Sequence, residues 1–144
     1  MAKFIMTDVR VMVNGVNLSD HSVSVSTPST KEEVDVSGFS PLGSREFLPG
    51  VEDQTITVGF LQDFGTNSVH QTLEPLYRGG SSFPFYLVPD SDTGTSTSNP
   101  VYGGTAKIYA YDGLSGALNA RAEFEASFRP APGNRFAWGT TAIT

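Results

Sequence analysis

The sequence predicts a mainly β protein, an antiparallel β-sandwich or partly closed barrel with one short flanking α-helix at about residues 68–78. Three observations carry this. Apolar residues recur with a period of two in about seven short runs. Turn-forming dipeptides and Pro/Gly clusters separate the runs. The apolar share is only 38%, while Gly, Ser, Thr and Pro are abundant, a mixture that suits short strands joined by turns. A chain of 144 residues is the size of one domain, and neither a repeat nor a linker divides it, so residues 1–144 are expected to fold as one β unit.

Taken in order, "DVRVMVNG" sets Val9, Val11 and Val13 on one face and Arg10 and Met12 on the other. It closes on Asn14-Gly15, the strongest short hairpin signal. "HSVSVS" alternates Val23 and Val25 with serines, and "EEVDVS" alternates Val34 and Val36 with Glu33 and Asp35. With the turn-prone "TPSTK" between them, these two runs are expected to form a hairpin with one solvated face. Residues 37–52 show no period and contain two prolines and three glycines, so a long loop is expected there. "QTITVGF" then starts a strand from about 53 to 62, with Ile56, Val58 and Phe60 inward.

The helix follows: Ser68 with Gln71 fits a capping box, Val69, Leu73, Leu76 and Tyr77 recur at helical spacing, and Gly79-Gly80 ends the run. Pro75 inside it implies a short or kinked helix. "SSFPFYLVP" reads as a strand with Phe83, Phe85 and Leu87 on one face; Pro84 places it at a sheet edge or puts the proline at a strand start. "DSDTGTSTSN" is a polar loop. "GTAKIYAYD" alternates Ala106, Ile108 and Ala110 with Lys107, Tyr109 and Tyr111. "RAEFEASFR" alternates Phe124, Ala126 and Phe128 with Glu123, Glu125 and Ser127. The tail from Pro130 resumes no period and holds Trp138.

Several function classes are disfavoured at once. With no cysteine there is neither a disulfide framework nor a thiol nucleophile. No apolar run approaches the length of a signal-peptide core or the roughly 20 residues of a membrane span. The formal charge is −6, from 15 acidic and 9 scattered basic residues, whereas gripping nucleic acid needs clustered cations. His21, beside Asp20, and His70 belong to no spaced catalytic motif, so an enzyme is not expected. "DSDTG" resembles the start of a calcium loop but lacks the distal glutamate, and reads as a polar turn. No cofactor or metal is expected. The acids Glu32, Glu33 and Asp35, and Glu123 with Glu125, read as solvated strand faces or as the lining of a water-filled channel. The loop aromatics Phe39 and Phe47 fit either a lid over the sandwich or a contact with another subunit.

The succession "VMVNGVNLSDHSVSVS", "KEEVDVSGF", "REFLPGVEDQTITVGFLQDF", "SVHQTLEPLYRGG" and "SNPVYGGTAKIYAY" resembles the tail tube (major tail) proteins of siphophages, over about residues 8–130. The resemblance implies a structural subunit of a non-contractile tail whose hexameric rings join their sheets into one inner barrel and stack into a tube, a fold shared with contractile-tail and type VI secretion tubes. It implies as partners further copies of the chain, the tape measure protein, and tail terminator and distal tail proteins. DNA would pass through the lumen without specific binding. It implies a place in the virion tail, assembly in the host cytoplasm, and no membrane insertion. The long loop, with Phe39, Leu42, Arg45, Glu46, Phe47 and Leu48, would then meet the neighbouring ring, joined by an N-terminal arm at about 1–7 and a C-terminal arm at about 131–144. Glu32, Glu33, Asp35, Glu123 and Glu125 become lumen candidates, since acidic walls would repel the phosphate backbone. The rival reading is a monomeric carbohydrate-binding or adhesin-like sandwich, with Tyr102, Tyr109, Tyr111 and Trp138 as its stacking platform.

Overall fold

The computed structural model describes residues 5–39, 43–90 and 94–140. Among the described residues ten strands and one α-helix follow in order: β1 (Arg10–Val13), β2 (Val16–Asn17), β3 (Ser22–Ser26), β4 (Ser29–Asp35), β5 (Phe47–Gln54), β6 (Ile56–Leu61), α1 (Val69–Gly79), β7 (Phe83–Val88), β8 (Val101–Ala110), β9 (Glu123–Pro130) and β10 (Ala137–Gly139). Eight form one antiparallel sheet in the order β2-β1-β7-β8-β9-β6-β3, with β10 on β8; β4 and β5 form a separate two-stranded ribbon.

The mainly β fold with one helix is as expected, and the sheet is open, since its path ends at β2 and β3. It curls over a single core. One buried cluster takes in Val11 and Val13 of β1, Phe85 of β7, Phe128 of β9, Val58 and Phe60 of β6, and Val69 and Leu73 of α1. Phe85 and Phe128 meet at 4.3 Å between ring centres although β8 separates their strands. Full burial of each such aromatic is worth about 1.5–3 kcal/mol, which is why the period-two runs dominate the fold.

The β1–β2 turn is the expected one: Asn14 and Gly15 both have positive φ, at 50° and 79°, as a two-residue hairpin loop requires. The helix bounds differ from the expected ones by one residue, and the Gly80 N–H closes the last turn on the Leu76 carbonyl. Its start is built differently from a capping box. Ser68 makes no cap bond and instead donates to Asp63, while Gln71 accepts from the Asn67 N–H. Pro84 is the second residue of an interior strand, facing Thr105, so the strand-start alternative holds.

Three expectations are corrected. First, the 21–26 and 32–37 runs do not pair with each other. Ser26 faces Thr57 and Ser29 faces Gln54 in one unbroken register, so β3 and β4 together run antiparallel to β5 and β6. Thr27-Pro28 passes straight on at the sheet's edge, where the Pro28 carbonyl accepts from the Thr55 N–H at 3.3 Å. A proline without a donor fits such an edge and needs no turn there. Second, residues 47–52 are strand rather than loop, and the expected 53–62 strand is divided at Thr55 between β5 and β6. Period two is absent because the ribbon buries neither face, so nothing selected alternation. Third, Tyr111 does not point away with Tyr109. A bulge between Ile108 and Ala110 shifts the phase, and Tyr111 packs edge-on to Phe124 at 5.2 Å.

Candidate assembly surfaces

β4 and β5 carry their shared ladder beyond the sandwich as an arm, and among the described residues no other strand pairs with either. A two-stranded ribbon alone is marginal in water, and its outer edges offer unpaired backbone groups. Cross-strand partners share a face. Val34 opposite Leu48 makes one face apolar, with Gly50 directly beside Val34. Asp35 opposite Phe47 and Glu33 opposite Pro49 lie on the other. Val34, Leu48 and Val51 are 43%, 58% and 77% exposed, and Phe39, in the connecting loop, is fully exposed.

The base of that loop is ordered by short-range bonds. The Val36 N–H donates to the Glu46 carbonyl at 2.9 Å, the Glu46 N–H to Ser37 Oγ at 2.7 Å, and Arg45 lies 3.6 Å from Asp35. The Ser37 hydroxyl and N–H together hold Asp35 below the usual carboxylate range. Of the expected contact residues, Phe39, Arg45, Glu46, Phe47 and Leu48 thus sit together on the arm or its loop; Leu42 lies outside the described residues.

The five candidate acids fall into two places. Glu123 and Glu125 lie on the exposed face of β9, opposite Leu61 and Gly59, with Arg121 Nε 2.8 Å from Glu123. Lys107 and Arg129 face each other at the other end of β9, so the strand pair is mixed in sign. Glu32, Glu33 and Asp35 lie on the arm, and Glu32 and Glu33, being adjacent, point to opposite faces of the ribbon.

The expected C-terminal arm is anchored over its first part. Phe136 is buried, β10 pairs with Val101–Gly103 of β8, and the Ala131 N–H donates to the Thr105 carbonyl. Gln54, which belongs to no motif, holds Phe136 through both ends of its amide at 2.9 Å. A signal for it exists: Gln54 shares the inward phase of Ile56, Val58 and Phe60.

The histidines make structural ties. Ser68 Oγ donates to Asp63 Oδ2 at 2.8 Å, and His21 Nε2 lies 3.0 Å from the same oxygen. The carboxylate stands between serine and imidazole, so the imidazole cannot take the serine proton, as acyl-transfer chemistry would require. The Gly65 N–H, then Ser68, then His21 hold Asp63 below its ordinary value. His70 Nδ1 lies 2.6 Å from Tyr111 Oη, which accepts from Gln62. Burial raises Tyr111 and Tyr102. Nor do the four ring residues form one platform. Tyr102 is buried beneath Trp138 at 4.6 Å, Tyr111 is packed on the core, and Tyr109 lies seven residues along β8 from Tyr102, about 23 Å away. Of "DSDTG", residues 91–93 lie outside the described residues, and buried Asn99 bonds both backbone groups of Asp90. Among the described residues no helix is long and apolar enough to cross a membrane, and no three potential metal ligands converge.

No family model matches the sequence, and no curated protein matches it. Solved structures do match the fold. A chain of the native gene transfer agent virion is similar over 94% of this chain and 96% of its own, at 21% identity and a TM-score of 0.70. A chain of the empty gene transfer agent particle's tail, a structure of C6 symmetry, is similar over 93% and 94%, at 19% identity and a TM-score of 0.67. The SPP1 tail tube is similar over 94% of this chain and 78% of its own, at 16% identity and a TM-score of 0.69. This chain therefore shares the fold of these three chains.

Proposed function

We propose that this chain is the structural subunit of a non-contractile phage tail tube, assembling into stacked rings around a channel. The carrying observation is the β4–β5 arm: it extends the sheet's own ladder into solvent and displays Val34, Leu48 and Val51. Such an element gains stability only when something covers it, and a second copy of the chain supplies a matched surface at every repeat. The open edges at β2 and β3 suit joining sheets from neighbouring copies. A hexameric ring is the proposed closure, supported by the C6 symmetry of the similar particle tail.

In this reading the arm, its loop and the terminal segments make ring-to-ring contacts. The exposed β9 face with Glu123 and Glu125 lines the channel, where repulsion keeps DNA from adhering. At most one of Glu32 and Glu33 can join them, since the ribbon turns them apart. The tape measure protein would occupy the channel before DNA, and tail terminator and distal tail proteins would cap the two ends, in a virion tail assembled in the host cytoplasm.

Electron microscopy and sedimentation over a concentration series, with and without a tail initiator complex, test the proposal. Rings or tubes of uniform width are expected. A chain that stays monomeric throughout both series refutes it.

A further inference from the structure

We infer that Gln54 is the positioning residue that sets the direction of the β4–β5 arm, by locking its root to the C-terminal segment. The inference rests on the reading of the arm as an assembly element. A ribbon without a core beneath it is free to swing about the point where it leaves the sheet, here Thr27-Pro28 and Thr55. Phe47 lies seven positions before Gln54, about 23 Å of strand, so a hinge error of about 10° displaces the far end by about 4 Å. A shift of that size destroys the complementary fit that a repeated interface needs.

At this hinge the side chain of Gln54, only 7% exposed, turns inward. Its Nε2 donates to the Phe136 carbonyl and its Oε1 accepts from the Phe136 N–H, both at 2.9 Å, imitating a β-ladder pair; Tyr102 Oη lies 3.5 Å from the same nitrogen. Phe136 is itself buried and leads into β10, which pairs with β8. The arm is thus fastened to the middle of the sheet through a residue 82 positions away in sequence. Two ion pairs flank the lock, Asp53 with Arg129 at 2.6 Å and Glu52 with Arg135 at 3.5 Å. Being exposed, they contribute little. A primary amide of this length both donates and accepts here at any pH. Alanine would leave a buried N–H and C=O unpaired, and an ionised glutamate would face the Phe136 carbonyl with no proton to give.

The chain has no cysteine, so Glu33→Cys on the arm and Glu125→Cys on β9 give a unique pair of spin-label sites. Pulsed electron paramagnetic resonance on the labelled monomer is expected to give one narrow distance. Adding Gln54→Ala should broaden that distribution at least twofold, with strand content retained by circular dichroism. Gln54→Glu should be broad when ionised and narrow again when protonated, because a protonated carboxyl restores both bonds; purely structural damage would show no such recovery. An unchanged distance in Gln54→Ala, or no narrowing of Gln54→Glu in acid while the parent stays narrow, overturns the inference. If Gln54→Ala does not fold, the pH response of Gln54→Glu decides alone. Tube growth is read on the unlabelled variants. A parent that forms neither rings nor tubes defeats the tail tube reading while the distance result still decides the lock. A broadened arm that builds tubes at the parent's rate overturns the lock's role in assembly.

Discussion

Replacing Val34, Leu48 and Val51 together by Thr, Gln and Thr tests whether the arm is an interface. In the free chain these side chains are 43%, 58% and 77% exposed, so their loss should change monomer stability by less than about 0.5 kcal/mol per site. Completing their burial against a neighbour recovers what the monomer forgoes. Full burial of a Val or Leu is worth about 1.5–3 kcal/mol and roughly half is still available, giving about 1 kcal/mol each and about 3 kcal/mol for the arm. At about 1.4 kcal/mol per tenfold change, that weakens each contact by roughly a hundredfold. Sedimentation velocity should show the onset of assembly displaced to correspondingly higher concentration, and micrographs should show no tubes at the parent's working concentration. A triple variant that assembles at the parent's concentration rules out an interface at these residues, as does one whose denaturation midpoint collapses, since they would then belong to the monomer's own core.

Other outcomes follow from the same geometry. Gly103→Ala should lose at least about 3 kcal/mol in chemical denaturation, because a Cβ there would collide with the Phe85 carbonyl oxygen at a φ of +154°; a loss under about 1 kcal/mol would contradict the close β7–β8 approach. Asp63→Asn should lower stability at neutral pH but not in strong acid. The Gly65, Ser68 and His21 bonds lower Asp63's folded pKa, so its contribution is present above the ordinary value of 3.8 and fades as pH falls through the folded one. A parent-variant gap independent of pH would count against this. Glu123→Lys with Glu125→Lys should leave a folded monomer and slow DNA release from assembled particles, and unaltered release would remove these acids from the channel wall.

The core strands and the helix were legible because each buries one face. Val11 and Val13, Ile56, Val58 and Phe60, Phe83 and Phe85, and Phe124 and Phe128 all sit where their spacing places them. The arm was not legible. "FLPGVEDQ" buries nothing in the monomer except its last residue, so hydrophobic alternation, the one local sign of a strand, is missing. The same blindness affected the acids: alternation separates Glu32 from Glu33 correctly, yet only the β4–β5 pairing reveals that both leave the sandwich.

Side-chain pattern alone thus marks which stretches are one-sided strands, where the chain reverses at Asn14-Gly15 and where the helix begins and ends, and composition shows that the chain is acidic and free of cysteine. Those are local properties, decided by side-chain period and by backbone conformations open to few residues. Long-range pairing is what carries β3 on into β4 instead of turning it back, redirects Tyr111 into the core through a bulge, and brings Gln54 to Phe136. Each depends on partners tens of residues away, whose contribution appears only once the chain has closed on itself.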